Sequence, residues 1–216
     1  MAARRGGTTR RAEAARAAVF LDKDGTLIED LPYNVDPERI RLAPGARAAI
    51  RLLAEAGYPI VVVTNQSGVA RGYFTERDLD AVAEHLDAEL RSLGSALAGF
   101  YFCPHVPDGI NEYAVVCDCR KPEPALIHRA AADLGLDPAR SWFIGDTWMD
   151  VAAGRAAGCR TIMVGPEHRT AAELPSDRRP DHAVADLLVA ARIVVAAGPS
   201  HPAGAANARP AEVPAR

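Results

Sequence analysis

Short apolar runs alternate along the chain with segments in which apolar residues recur every three or four positions. Runs such as 19–21 and 60–63 end at polar side chains, as buried strands do, and the segments between them have the periodicity of amphipathic helices. In the longest of these segments, Thr75 is the expected N-cap, with Asp78 three residues later and Gly94 just past the end. The alternation predicts an α/β fold, in which a Rossmann-like, mainly parallel sheet is sandwiched by helices. The predicted elements are 18–21, 45–56, 59–63, 76–92, 99–102, 124–134, 141–144, 149–157, 160–164 and 186–197.

The composition of the two ends sets the expected domain boundaries. The first stretch contains five arginines and little that is apolar, and the last is rich in Pro, Ala and Gly. We expect a flexible basic tail at 1–17, one folded domain at 18–197 and a second flexible tail at 198–216. The Arg10–Arg11 pair does not predict a twin-arginine signal, because no apolar segment follows it before the first strand.

Asp22 and Asp24 directly follow the first apolar run, in the sequence VFLDKDGTLI. On an extended backbone, side chains two residues apart lie on the same face, so both carboxylates can address one reacting centre. One can attack a phosphorus atom while the other handles the proton of the leaving group. An acidic turn after a strand is the plainer interpretation. A Ca²⁺ loop of the EF-hand type is not favoured, because Tyr33 occupies the position of its bidentate glutamate.

Three further segments carry polar residues at the ends of predicted elements. Thr64 and the backbone N–H groups of 65–67, in IVVVTNQSG, can bind phosphoryl oxygens. Lys121, in CRKPEP, precedes a helix start and offers a point charge to a phosphoryl group. Asp146 ends the run SWFIGD, and Asp150 follows one helical turn later. Carboxylates that meet from two strand ends require a hard cation between them, and oxygen ligands with a phosphate substrate favour Mg²⁺.

Asp-x-Asp, Thr, Lys and Asp, in this order, resemble the motifs of the haloacid dehalogenase superfamily of phosphohydrolases, and they extend over most of the chain. The resemblance implies that Asp22 is the nucleophile that forms an aspartyl-phosphate and that Asp24 is the general acid and base. It also implies that Thr64 and Lys121 bind the phosphoryl oxygens. The implied Mg²⁺ ligands are Asp22, Asp146 and the backbone carbonyl of Asp24, with Asp150 behind them.

Three of the four cysteines lie close to a histidine, as Cys103 and His105 in CPH and Cys117 and Cys119 in CDC. Two tight pairs of sulfur and nitrogen donors, separated by eleven residues, predict a tetrahedral structural Zn²⁺ in a zinc loop at 103–119. A disulfide between Cys117 and Cys119 is the alternative, although one intervening residue gives poor disulfide geometry.

The segments CPH…CDCRKP, DKDGT and TNQSGVARG are together similar to the branch of the superfamily that contains heptose-bisphosphate and histidinol-phosphate phosphatases. The second motif and the long zinc loop resemble the heptose enzymes more closely, which implies removal of the C7 phosphate from a heptose 1,7-bisphosphate. Thr147 and Trp148 depart from the resemblance, because the heptose enzymes usually have a lysine directly after the last aspartate motif. The alternatives are a phosphatase of histidinol phosphate or another small sugar phosphate, and a non-catalytic zinc module that binds phosphate.

The intervals between the motifs are too short for a cap domain, so we expect a capless, open active site with specificity supplied by loops. The family implies that the loop just after the first motif, at 30–33, and Arg120 contact the sugar phosphate. Arg71 is added because a second phosphate needs a cation. The candidate substrate-binding residues are Asp30, Tyr33, Asn65, Gln66, Ser67, Arg71 and Arg120.

Charge and hydropathy limit the classes of partner. A net charge of −3 and an aromatic content of 6% give no nucleic-acid-binding signature. No apolar run reaches the length of a membrane span. We therefore expect a monomeric cytoplasmic enzyme that acts on a small phosphorylated sugar, in a compartment where reduced thiols can hold zinc.

Overall fold

A single six-stranded sheet forms the centre of the computed structural model, which describes residues 15–198. The strands are β1 (Val19–Leu21), β2 (Ile60–Asn65), β3 (Leu97–Cys103), β4 (Trp142–Gly145), β5 (Arg160–Met163) and β6 (His182–Ala183). They lie in the order β3-β2-β1-β4-β5-β6, and every neighbouring pair is parallel. Phe20 of β1, for example, lies between Val61 of β2 and Phe143 of β4. The carboxyl ends of β2, β1 and β4 therefore meet at the middle of one sheet edge.

Within residues 15–198, five α-helices cover the two faces of this sheet. They are α1 (Ala46–Glu55), α2 (Glu76–Ser92), α3 (Ala125–Leu134), α4 (Trp148–Ala156) and α5 (Leu187–Ala197). Successive side chains of β1 point to opposite faces, so Val19 and Leu21 pack with α1, α2 and α5, whereas Phe20 packs with α3 and α4. The predicted α/β sandwich is confirmed.

All ten predicted elements occur, with ends shifted by a few residues. Helix α2 begins where the sequence predicts, because the Thr75 hydroxyl accepts from the Asp78 N–H at 3.4 Å and the Asp78 carboxylate accepts from the Thr75 N–H at 2.7 Å. Helix α4 begins one residue earlier than predicted, after Thr147, whose N–H donates to the Asp150 carboxylate at 3.0 Å. The sequence analysis missed β6, because two residues are too few to produce a periodic pattern.

No cap domain interrupts the described residues. Between β1 and α1 the chain forms loops and one short 3₁₀ turn, Pro37–Arg39. Most of the two predicted tails, 1–14 and 199–216, lies outside the described residues. Arg16, near the end of the first predicted tail, forms backbone hydrogen bonds with Gly135 and Asp137. No helix between residues 15 and 198 combines the length and hydropathy needed to cross a membrane.

Candidate active site and metal-binding clusters

The central strand ends bring the residues of three motifs together. Asp22 follows β1, Thr64 lies in β2, and Asp146 follows β4. Because β1 lies between β2 and β4, these side chains are neighbours at one sheet edge, where open α/β sheets bind ligands. The Asp22 N–H donates to the Ile144 carbonyl at 3.0 Å, which ties the candidate nucleophile to the neighbouring strand.

Lys121 is a buried cation in contact with two carboxylates of this edge. Its Nζ lies 2.7 Å from Asp22 Oδ1 and 2.6 Å from Asp150 Oδ1, and it donates to the Val63 carbonyl at 2.9 Å. Burial opposes the charge, but Asp150 and Asp22 outweigh it and raise the pKa of Lys121 above its ordinary value. The Asn65 side chain holds the main chain of Lys121, donating to its carbonyl at 3.1 Å and accepting from its N–H at 3.0 Å. The ammonium is therefore fixed and charged.

Asp22, Asp146 and Asp150 form a carboxylate cluster, with one oxygen of each within 4.8 Å of the others. Burial and the neighbouring carboxylates raise the pKa of Asp22 to about 6 and that of Asp146 to about 7, with Lys121 opposing the shifts. Asp146 Oδ1 is buried and has no hydrogen-bond partner among residues 15–198. Buried carboxylates that repel one another and leave an oxygen unpaired fit a hard divalent cation.

Two local features give this cluster its shape. Asp150 is already occupied, since its Oδ2 accepts from the Thr147 N–H at 3.0 Å and from the Thr147 hydroxyl at 2.7 Å, and its Oδ1 contacts Lys121. Asp22 and Asp146 are thus the freer ligands. Gly25 has a φ of 75°, and a Cβ at this position would collide with the Asp146 carboxylate. A glycine is required there to keep the carboxylate in place.

Asp24 lies beside the cluster, with a donor against each of its carboxylate oxygens. Gln66 Nε2 donates to Oδ2 at 2.9 Å, and Lys23 Nζ lies 3.0 Å from Oδ1. The same Gln66 nitrogen donates to Thr64 Oγ1 at 3.0 Å, which leaves the Thr64 hydroxyl proton available to a phosphoryl oxygen. Asp24 is 29% exposed and can meet a ligand in the adjacent cleft.

Cys103, His105, Cys117 and Cys119 form a thiol cluster at the carboxyl end of β3. Their sulfur atoms lie 3.2–3.6 Å apart, and His105 Nδ1 is 3.2 Å from Cys119 Sγ and 3.7 Å from Cys103 Sγ. No disulfide joins Cys117 to Cys119, whose thiols are free. A tetrahedral zinc site with Zn–S bonds of about 2.3 Å has sulfur atoms roughly 3.8 Å apart. The four donors are thus arranged to hold one metal ion with little adjustment.

The zinc loop packs against the loop that follows β2. The Ala70 N–H donates to the Pro104 carbonyl at 3.2 Å, and the Ala70 carbonyl accepts from the Ile110 N–H at 2.8 Å. At the other end of the zinc loop, Arg120 Nη1 donates to the His105 carbonyl at 3.2 Å. The zinc loop is therefore connected to the loop after β2 and to Arg120, which directly precedes Lys121.

A cleft of about 270 Å³ opens beside Asp24, and five residues of the predicted substrate-binding set line it: Asp30, Tyr33, Asn65, Gln66 and Ser67. Tyr33 has a φ of 56°, the only positive value for a non-glycine residue between 15 and 198. Its half-exposed ring meets Tyr73 edge-on, with 4.7 Å between the ring centroids. The two aromatic rings thus connect the loop after β1, where Tyr33 lines the cleft, to the loop after β2.

Three residues predicted to contact the substrate have other partners. The Asn65 side chain is engaged by the main chain of Lys121. The Gln66 N–H donates to the Cys103 carbonyl at 2.8 Å, so the prediction that it belongs to an anion-binding nest is wrong, and only its side chain faces the site. Arg71 Nη2 lies 3.1 Å from both carboxylate oxygens of Asp108, which raises the pKa of the guanidinium.

Sequence reasoning missed Lys23 and Tyr73. Lys23 occupies the variable position of Asp-x-Asp, to which the motif assigns no role. The composition does single it out, because Lys23 and Lys121 are the only lysines in the chain. Tyr73 had no signal in the sequence, since its contact with Tyr33 depends on how two distant loops fold.

Comparison with known proteins identifies the family of this chain. The family model described as "HAD-hyrolase-like" matches residues 118–191. The D-glycero-beta-D-manno-heptose-1,7-bisphosphate 7-phosphatase of Haemophilus ducreyi is 43% identical over 150 residues, which are 69% of this chain and 82% of that protein. The enzyme of the same name from Escherichia coli K12 is 40% identical over 148 residues, 68% of this chain and 78% of that protein. This chain belongs to the heptose-bisphosphate phosphatase family of the haloacid dehalogenase superfamily.

A solved structure of this family has the same fold. The D,D-heptose 1,7-bisphosphate phosphatase from B. bronchiseptica, complexed with magnesium and phosphate, superposes with a TM-score of 0.72 at 30% identity, covering 84% of this chain and 99% of that one. In the present family member, Thr147 and Trp148 follow Asp146, and Thr147 caps α4 through Asp150. The position after the last motif aspartate therefore contributes to the helix start and supplies no cation here.

Proposed function

We propose that this protein is a Mg²⁺-dependent phosphatase that removes the C7 phosphate of D-glycero-D-manno-heptose 1,7-bisphosphate through an aspartyl-phosphate on Asp22. The observation that carries the chemistry is the meeting of Asp22, Asp24, Thr64 and Lys121 at one sheet edge. The substrate is supported by the names of the relatives, which are heptose-1,7-bisphosphate 7-phosphatases over about four fifths of their length.

In the first step, an oxygen of the Asp22 carboxylate attacks the phosphorus of the C7 phosphate, and the bond from phosphorus to the C7 oxygen breaks. Asp24 gives its proton to that departing oxygen, so the leaving group is released as an alcohol. Lys121 and Thr64 offset the charge on the phosphoryl oxygens while the group is transferred. Because Lys121 is already in contact with Asp22, it needs no large movement to reach them.

In the second step, water attacks the phosphorus of the aspartyl-phosphate. Asp24, now ionised, accepts a proton from this water, and the bond between phosphorus and Asp22 breaks. Inorganic phosphate leaves, and both aspartates return to their starting states. Asp24 therefore transfers one proton in each direction per turnover, which requires a carboxylate with access to the open cleft.

Mg²⁺ fits the carboxylate cluster, because Asp146 Oδ1 is buried without a partner and Asp22 is crowded by like charge. Asp22, Asp146 and the backbone carbonyl of Asp24 would hold the ion, with Asp150 behind them. When bound, Mg²⁺ supplies positive charge that offsets the negative charge of the phosphate and the nucleophile. The protein side chains do the remaining work of binding, orientation and proton transfer.

The thiol cluster is proposed as a structural zinc site. All four positions are filled by protein donors, so no open position is left for a substrate. Zinc would fix Cys119 and thereby the adjacent Arg120, which already donates to the zinc loop at His105. Thiolate ligands suit a reducing compartment, and the cytoplasmic location and monomeric state remain predictions.

The loops around the cleft are the proposed basis of substrate choice. Asp30, Tyr33 and Ser67 line the cleft beside Asp24 and would contact the sugar. Arg120 would bind the second phosphate, at C1. Arg71 is a weaker candidate for this role, since Asp108 already neutralises it. A dianion at the far end of the substrate would be attracted by Arg120, whereas the amine of histidinol phosphate would be repelled.

Steady-state kinetics at fixed Mg²⁺ and ionic strength test this proposal. We expect kcat/KM for heptose 1,7-bisphosphate to exceed that for heptose 7-phosphate and for histidinol phosphate by roughly 10-fold or more, if one charge-assisted contact supplies about 1.5–3 kcal/mol. Arg120→Ala should reduce this preference more than it reduces turnover of p-nitrophenyl phosphate. Arg192→Ala, at an exposed position of α5, is the matched control and should change neither.

The alternatives give different outcomes in the same experiment. A preference for histidinol phosphate, or for another sugar phosphate, would contradict the substrate and leave the phosphatase mechanism standing. No turnover of any phosphomonoester by Mg²⁺-loaded protein, together with phosphate binding, would favour a non-catalytic binding module.

A further inference from the structure

Lysine is used at only two positions in this chain. Of 25 lysine and arginine residues, Lys23 and Lys121 are the only lysines, and all other cationic side chains of these two types are arginines. Both lysines are buried, at 1% and 3% exposure, and each ammonium lies within 3.0 Å of an aspartate of the catalytic edge. Lys121 is accounted for by phosphoryl binding. The proposed reaction assigns no role to Lys23.

Lys23 is held so that its ammonium faces one oxygen of Asp24. The Lys23 carbonyl accepts from the N–H groups of Leu27 and Ile28, both at 3.0 Å, which fixes the backbone of the turn. Its Nζ lies 3.0 Å from Asp24 Oδ1, and no other carboxylate lies within ion-pair distance of it among residues 15–198. A buried ammonium is costly unless it is paired. The buried position of the Lys23 ammonium therefore depends on its ion pair with Asp24.

The other oxygen of Asp24 faces the phosphoryl side of the site. Gln66 Nε2 contacts both Asp24 Oδ2 and Thr64 Oγ1, so Oδ2 lies on the side of the residue that binds the phosphate. The two oxygens are thus not equivalent, because one adjoins a cation and the other adjoins the reacting group. The ammonium of Lys23 therefore holds Oδ1, and Oδ2 is the oxygen that faces the reacting group.

We propose that Lys23 is a positioning residue that holds Oδ1 of Asp24 and so presents Oδ2 to the reacting group. It binds Oδ1 and stops the carboxylate from rotating, so that Oδ2 gives its proton to the leaving oxygen and later accepts one from the attacking water. This inference rests on the proposed acid–base role of Asp24, but not on the identity of the sugar. The compact ammonium reaches Oδ1 within a space that a planar guanidinium fills differently.

A double-mutant cycle between Lys23 and Asp24 tests the inference. Lys23→Met keeps the length of the side chain and removes its charge. With p-nitrophenyl phosphate, we expect Lys23→Met to lower kcat about 10- to 100-fold, a part of the 10²–10⁴-fold that positioned acid–base catalysis supplies. KM should change little, and the solvent deuterium isotope effect on kcat should increase, because proton transfer becomes slower. In an Asp24→Asn background, the same change should have almost no further effect.

Three results would contradict the proposed positioning role of Lys23. An equal loss from Lys23→Met in the wild-type and Asp24→Asn backgrounds would show that Lys23 acts independently of Asp24. A lower melting temperature with unchanged kcat and isotope effect would show a purely structural role. Lys23→Arg, which keeps a donor to Oδ1, should recover part of the lost kcat, and recovery no better than with Met would also contradict the inference. Wild-type protein without any phosphatase activity would instead contradict the proposed function.

Discussion

The carboxylate cluster and the thiol cluster each bring their ligand atoms within 4.8 Å of one another, but they are built from different parts of the fold. The carboxylates follow β1 and β4 or start α4, so the sheet and a helix cap hold them. The thiol cluster closes the two ends of a loop, and three of its four residues are only partly buried. The first cluster is thus positioned by the fold before any ion binds, whereas the second is positioned by its own donors and a few loop hydrogen bonds.

This difference predicts different consequences of losing the ion. In the carboxylate cluster the cost is electrostatic, because buried like charges remain together when the ion is absent. In the thiol cluster the cost is conformational, because the loop loses its principal cross-link. The first ion should therefore control turnover, and the second should control stability and the placement of Arg120 and Lys121.

The largest effect is expected from Asp22→Asn. The change keeps the shape of the side chain but removes the charge that attacks phosphorus and one metal ligand, so kcat should fall by several orders of magnitude. Asp118→Asn, at an exposed carboxylate between Cys117 and Cys119, is the control and should retain activity and the same zinc content as the wild type. Turnover close to wild type in Asp22→Asn, measured with a phosphate-release assay, would contradict the covalent mechanism.

A smaller effect is expected at the thiol cluster. Cys117→Ser should lower zinc content from about one ion per chain and cost about 2 kcal/mol of stability, or roughly 4–8 °C in melting temperature for a domain of this size. Asp108→Ala removes the exposed ion pair between Arg71 and the same loop, and should lower the melting temperature less than Cys117→Ser does. Elemental analysis and calorimetry measure both. Equal losses in the two variants would mean that zinc is not the main cross-link of the loop.

The smallest effect concerns pH and Mg²⁺. Burial raises the pKa of Asp22 to about 6 and that of Asp146 to about 7 from 3.8, so the metal-free folded protein binds more protons than the unfolded chain. The stability from these two groups is complete below about pH 4 and is lost as the pH rises through the two folded values. Mg²⁺ binds the ionised forms, so saturating Mg²⁺ should raise the melting temperature more at about pH 8 than at about pH 5.

The Asp146→Asn variant is a second test of this pH dependence. Without the Asp146 charge, metal-free protein should lose less stability between these two pH values, and Mg²⁺ should add less at the higher one. A Mg²⁺ effect that is the same at both pH values in the wild type would contradict cation binding at this cluster.

The predictable parts of the fold are those in which local sequence and tertiary packing agree. Strands β1 and β2 are short apolar runs that end at polar motifs, and α2 has its own cap and apolar stripe, so all three elements are predictable from the sequence. Strand β6 was not found, because its two residues are a strand only by pairing with β5. The residues of the thiol cluster are recognisable in the sequence because they are closely spaced in the chain.

The parts of the site that escaped prediction are contacts between loops. Asn65 looks like a substrate ligand in the sequence, but its amide matches the main chain of Lys121, 56 residues away. Arg71 looks like a free cation, yet Asp108 lies within reach once the zinc loop has folded over it. Such pairings depend on the relative position of segments that the linear pattern does not determine. Residue type indicates what a side chain can do, and the fold decides which partner it meets.

The burial of both lysines makes this domain a natural reporter for chemical labelling. Reagents that acylate primary amines react with exposed side chains, and within residues 15–198 the folded protein offers them none of its lysines, which are 1% and 3% exposed. Acylation of Lys23 or Lys121 therefore requires the catalytic edge to open. The labelling rate at each lysine, followed by mass spectrometry, measures how often this edge opens, as amide exchange does for the backbone.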